Sequence, residues 1–215
     1  MNNLKKLCLM LMLPLFLFSI SLQCKATTGA PESIDVLGYD QKDKKIYVLR
    51  QFNDESCKLP RLYYFNLNSK MSSNKAVPVQ SIYMTTKTEQ NLNDCTDTSE
   101  LILEKIEHIQ KRLQTLNSIP TENFQVKIQQ RKIETGQFWQ HILEDYPVQR
   151  YTQNYIIQYQ KLKSSVQKSI SYNHAELRIA RAYHIPQHNT FLVIVQYLGI
   201  PFETGYTVED AVLIR

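Results

Sequence analysis

The chain has 215 residues, 43% of them hydrophobic and 21% charged, with a formal net charge of +5. That length suffices for one domain with a real core, or for two small halves packed together. Without the apolar N-terminal segment and its three lysines the charge falls to about +2, too mild to suggest a nucleic-acid partner, because phosphate binding needs concentrated positive charge.

The N-terminus points to export. Lys5 and Lys6 precede Leu7–Leu22, a run (LCLMLMLPLFLFSISL) without a charge. A membrane-spanning helix needs roughly 20 apolar residues and this run contains Pro14, so a cleaved secretory signal peptide over residues 1–26 fits better. Cys24 and Ala26 supply small residues at the −3 and −1 positions. Gln23 departs from the small residue that a lipobox places before its cysteine, which argues against lipidation at Cys24. Cleavage would remove Lys5, Lys6 and Lys25 and no acid, taking 25 basic residues to 22 against 20 acids, or about +2. The mature chain, residues 27–215, is then expected in the periplasm or outside the cell, with no stable membrane span. Cys8 and Cys24 leave with the signal, and Cys57 and Cys95 remain as one expected disulfide. Neither has a second Cys or a His at zinc-ligand spacing.

In chain order, alternation predicts strands over 33–39, 45–52, 62–67 and 76–84. In the second, Ile46, Val48 and Phe52 share one face and Tyr47 and Leu49 the other. Pro78 sends the fourth to an edge. These strands resemble one blade of a β-propeller, but no second copy of the pattern follows. Ile102, Ile106, Ile109, Leu113 and Leu116 form a single helical stripe, which predicts a helix over 97–117, capped by Asp97 and stopped by Asn117 and Pro120. Phe124, Val126 and Ile128 alternate with polar residues, as a half-buried strand over 122–134. A short helix is expected over 137–146, then strands over 151–160, 164–172, 175–185, 190–198 and 205–214. The run 175–185 also suits a helix, since Ala, Glu, Leu and Arg favour one, but the turn at Pro186–Asn189 favours strand. The fold expected is α+β and mainly β. Two antiparallel sheet blocks, 33–84 and 122–215, lie sandwich-like or as a meander with one long amphipathic helix between them.

Catalytic signatures are missing. The chain has no Gly-X-Ser-X-Gly, P-loop, dinucleotide fingerprint or HEXXH, and only five glycines to build a phosphate cradle. His174, His184 and His188 are the candidate metal ligands, with Glu176 or Asp210 as an oxygen donor, because a turn at Pro186 would bring His184 and His188 together. Arg178 and Arg181 are a candidate anion site, which a helix would place on one side and a strand would split. Glu209 and Asp210 would face opposite ways in a strand. Of the 13 tyrosines, Tyr151, Tyr155, Tyr159, Tyr172, Tyr183 and Tyr197 crowd the C-terminal block, where exposed rings could stack on sugars or anchor a protein. Tyrosine is also an ordinary strand residue.

The sequence thus points to an exported, non-enzymatic binding module whose partner is a protein or an envelope carbohydrate, with no cofactor. The alternatives are a small metal-dependent hydrolase using His174, His184 and His188, or a secreted inhibitor.

Overall fold

The structure is a computed structural model that describes residues 30–53, 58–68, 74–84, 95–138, 147–201 and 205–215. Residues 1–26, expected as a signal peptide, and Cys57 lie outside the described residues, as does the helix expected over 137–146 from Trp139 onward. The side chain of Cys95 also lies outside them, so the Cys57–Cys95 pairing does too.

The fold is mainly β, in two sheets. The first runs β4-β3-β2-β1-β12-β11-β10-β5, with β1 at Glu32–Asp40, β2 at Lys45–Phe52, β3 at Arg61–Asn66, β4 at Val77–Pro78 and β5 at Ser118–Ile119. Its C-terminal members are β10 at Arg178–His184, β11 at Phe191–Ile200 and β12 at Tyr206–Ile214. In the second sheet β6 (Phe124–Gly136) pairs with β7 (Val148–Tyr159), which also carries β8 (Leu162–Lys163) and β9 (Gln167–Tyr172). The sheets therefore do not divide the chain at the helix. The last three strands join the N-terminal block, through a parallel pairing of Glu32 with Val208. The fourth expected strand shrinks to the two residues of β4, at the sheet edge where Pro78 belongs. The ambiguous run after Ala175 is strand, β10.

Packing explains the burial pattern of β2. Ile46 and Val48 share a core with Ile34, Phe65, Leu192, Ile194 and Leu213. Tyr47 and Leu49, on the other face, pack with Leu62, Ile82, Ile102 and Ile106. A third core joins Phe124, Tyr155 and Ile157 of the second sheet to Val193, Val195, Val212 and Ile214 of the first. In β10 a register shift between Ile179 and Arg181 sends Leu177 and Ile179 to that third core but Tyr183 and Ile185 to the first.

The helix, α1, is shorter than expected. It spans Cys95–Gln110, so Asp97 falls inside its first turn, and it docks on the N-terminal strands through Ile102 and Ile106 rather than lying between the sheets. After Gln110 the chain tightens through a bond from Leu113 N to Gln110 O (3.0 Å) and then pairs with β1. Tyr39 N donates to Gln114 O (2.8 Å) and Gln114 N to Tyr39 O (2.9 Å). Gly38 permits this approach: its φ is +143°, and an added Cβ would sit 2.6 Å from Gln114 O. Leu116, the last residue of the expected stripe, thereby enters the core of Ile34 and Leu192 instead of the helix's own.

Candidate functional site

The expected site residues are distributed among different neighbours. His174 and Glu176 are exposed on the approach to β10. His184 ends β10, its ring centroid 5.2 Å from that of Phe191. His188 lies in the following turn, half-buried, its Nε2 2.9 Å from the Tyr39 hydroxyl. Among the described residues no group of three or more His, Cys, Asp or Glu is placed to hold a metal ion. Arg178 donates from Nε and Nη2 to the Gln196 side chain, whereas Arg181 donates to Glu209 and, at 2.8 Å, to the Ile34 carbonyl. The two arginines thus serve separate partners.

Asp210 belongs to an ionic joint that sequence reasoning did not find. Arg50 on β2 donates from Nη2 to Asp210 (2.5 Å) and from Nη1 to Glu32 (2.9 Å), and the Tyr197 hydroxyl donates to Asp210 (2.6 Å). Burial works against the Arg50 charge, but the facing carboxylates of Asp210 and Glu32 outweigh it and raise its pKa above the ordinary value. Burial first, and then Asp210, push the Tyr197 hydroxyl far up, so it stays a donor. On the neighbouring residue, Glu209 accepts from Arg181 and from Ile34 N (2.9 Å). Two carboxylates adjacent in sequence therefore hold β1 and β2 to the last strand, each with its own arginine.

A polar file runs between the sheets nearby. Gln153 is buried and donates to Ala175 O (2.9 Å) while accepting from Arg131 Nε (2.9 Å). Ser169 pairs with it across β7 and β9, and Ser171 lies opposite Tyr151. Ser169, Ser171 and Tyr155 are buried, and their hydroxyls have no hydrogen-bond partner among the described residues. The tyrosines of the C-terminal block do not make an exposed aromatic surface. Tyr155 and Tyr172 are buried, and Tyr151, Tyr159, Tyr183 and Tyr197 are half-buried. Tyr159, for example, stacks on Phe124 with centroids 4.4 Å apart. These tyrosines fill space against neighbouring side chains rather than lying fully exposed.

A groove of about 680 Å³ lies between the β1–β2 turn and the end of α1, where Asp40 and Arg112 pair at 3.1 Å. Asp40 also accepts from Lys42 N and Asp43 N, both at 3.1 Å, so it fixes the turn.

The surface that asks most for an explanation is β6. Of its 13 residues only Phe124 is buried, although alternation predicted a half-buried strand. A register shift between Ile128 and Gln130 changes its parity, and Ile133 then joins Phe124, Val126 and Ile128 on the face toward the first sheet. That face overhangs the core, leaving Ile128 38% and Ile133 56% exposed. The other face carries Lys127, Lys132 and Glu134. Glu134 is bonded to Arg150 (2.9 Å) and Lys132 (3.0 Å), which lower its pKa in that order of strength. Among the described residues β6 pairs only with β7, so its outer edge presents free backbone donors and acceptors.

Searches with this chain against protein-family models, curated proteins and solved structures find no match. Among the described residues no helix is long and apolar enough to cross a membrane.

Proposed function

We propose that the chain is an exported, non-enzymatic interaction module with a sandwich-like scaffold, and that it takes a partner protein along β6. One observation carries the reading: β6, a strand of 13 residues exposed along most of its length, has one edge unpaired among the described residues and holds Ile128 and Ile133 partly in solvent. An open, long, partly apolar edge is where an extended segment of another chain adds to a sheet. Export rests on the charged start and apolar run of residues 1–26.

The test places a photo-cross-linking residue at Ile133 and, as a control, at Met84, which is 69% exposed and far from β6 in sequence. Producing cells should export a protein beginning at Thr27. Ile133 should give one discrete hetero-adduct and Met84 none. Retention with the N-terminus intact, or no adduct at Ile133, overturns the reading.

A further inference from the structure

We infer that the occupant of the β6 edge is an extended acidic segment whose residues alternate acidic and apolar. This rests on the interaction reading above and names its partner. The argument starts from the two faces of β6. An added strand lies in the same sheet, so its side chains alternate between those faces. On the face turned away from the first sheet it meets Lys127, Gln130 and Lys132, with Lys168 two strands further in, register-paired with Asn154. Lys127 makes no ion pair among the described residues. Glu134, the acid of this face on β6, is already bonded to Arg150 and Lys132. On the opposite face the added strand meets Ile128 and Ile133, with Arg131 between them held by Gln153. Acidic residues therefore suit one set of positions and apolar residues the other, and a period of two satisfies both at once.

The same charges select against other occupants. Two copies of β6 laid edge to edge would bring together Lys127, Arg131 and Lys132 from each chain against one acid from each, already engaged. Like charges on facing strands destabilise the pair. Lysines and a bulge on an edge strand are a known guard against self-pairing. The guard is one of charge, so it repels basic strands and favours an acidic one over a neutral one. Nucleic acid would leave the exposed isoleucines uncovered and the edge backbone groups unpaired, whereas a strand satisfies both.

The test uses purified mature protein and a fluorescein-labelled Glu–Val alternating peptide of about ten residues, long enough to follow the edge. Anisotropy should show saturable binding. A Lys–Val peptide should bind at least about tenfold more weakly, as should the Glu–Val peptide to a Lys127→Glu/Lys132→Glu variant. Both lysines are exposed, so circular dichroism should show the variant folded as the parent. A Glu–Val peptide N-methylated at alternate residues keeps its charge but cannot pair, and should lose binding. Equal binding of the N-methylated peptide would mean electrostatic adhesion and overturn the inference. No binding to any peptide, a dimer that Lys127→Glu abolishes, or complete displacement by heparin would also overturn it. A discrete adduct at Ile133 without preference for the acidic peptide removes this inference and leaves the interaction reading standing.

Discussion

Arg50 and Asp210, 160 residues apart, meet at 2.5 Å beside the parallel pairing that joins the first and last strands of the larger sheet. Asp210 also accepts from Tyr197, and Arg50 also donates to Glu32. Removing one partner of such a pair leaves the others short of a bond. Arg50 is 18% exposed at its side chain, so solvent screens the penalty only in part. Arg50→Met is expected to cost about 2–3 kcal/mol in urea unfolding, and Asp210→Asn in the same background to add less than it does alone.

The two tyrosines near Asp210 should respond in opposite ways. Tyr197→Phe removes a donor to a carboxylate and should cost about 1.5 kcal/mol. Tyr155→Phe removes a buried hydroxyl that has no partner among the described residues, so stability should stay within about 0.5 kcal/mol or rise. Equal losses in thermal unfolding would contradict this contrast.

Gly38→Ala should destabilise by about 2–3 kcal/mol, because a φ of +143° strains an L-residue and the new Cβ would meet Gln114 O and the Leu113 side chain. The damage should be local first. Amide exchange at Tyr39 and Gln114 should speed up before that of the β2–β3 ladder.

Helix docking is tested at Ile106, which is 3% exposed in the core of Tyr47 and Leu62. Ile106→Ala should cost about 2–4 kcal/mol, and Ile106→Asp should prevent stable folding of the monomer. A soluble, folded Ile106→Asp protein would mean that α1 does not carry this core.

Glu134 gives a pH signature for the β6–β7 ribbon. Its folded pKa is depressed by Arg150 and then Lys132, so its contribution is present above the unfolded value and is lost as pH falls through the folded one. The carboxyl carbon of Glu134, followed by NMR, should titrate below an ordinary glutamate. Arg150→Gln should move its midpoint back up.

Much of this was legible in the sequence wherever local pattern decides. The bounds of β2 follow from KIYVLRQF, and Pro78 marks the edge. Arg181 interrupts the alternation of β10, and a register shift is found at that point. The helix end was not legible, because Leu113 and Leu116 continue the spacing of Ile102 and Ile106 while Leu116 belongs to another core. Beyond the helix, Gln114 pairs with the backbone of Tyr39, far away in sequence, in place of a further helical turn. Alternation in β6 showed which residues are apolar, not whether anything covers them. The Arg50 joint depends on a pairing between chain ends, which no local periodicity encodes.

The parallel contact of Glu32 with Val208 also sets an order of events for a chain made from its N-terminus. Ile34, Ile46 and Val48 wait for Leu192, Ile194 and Leu213 before their shared core can close. Until β12 is made, β1 presents an open edge and the first block presents a bare apolar face. Such late closure slows folding and leaves the incomplete chain prone to aggregate. A chain cut before Tyr206 should therefore be insoluble rather than merely less stable, even though most of its strands are intact.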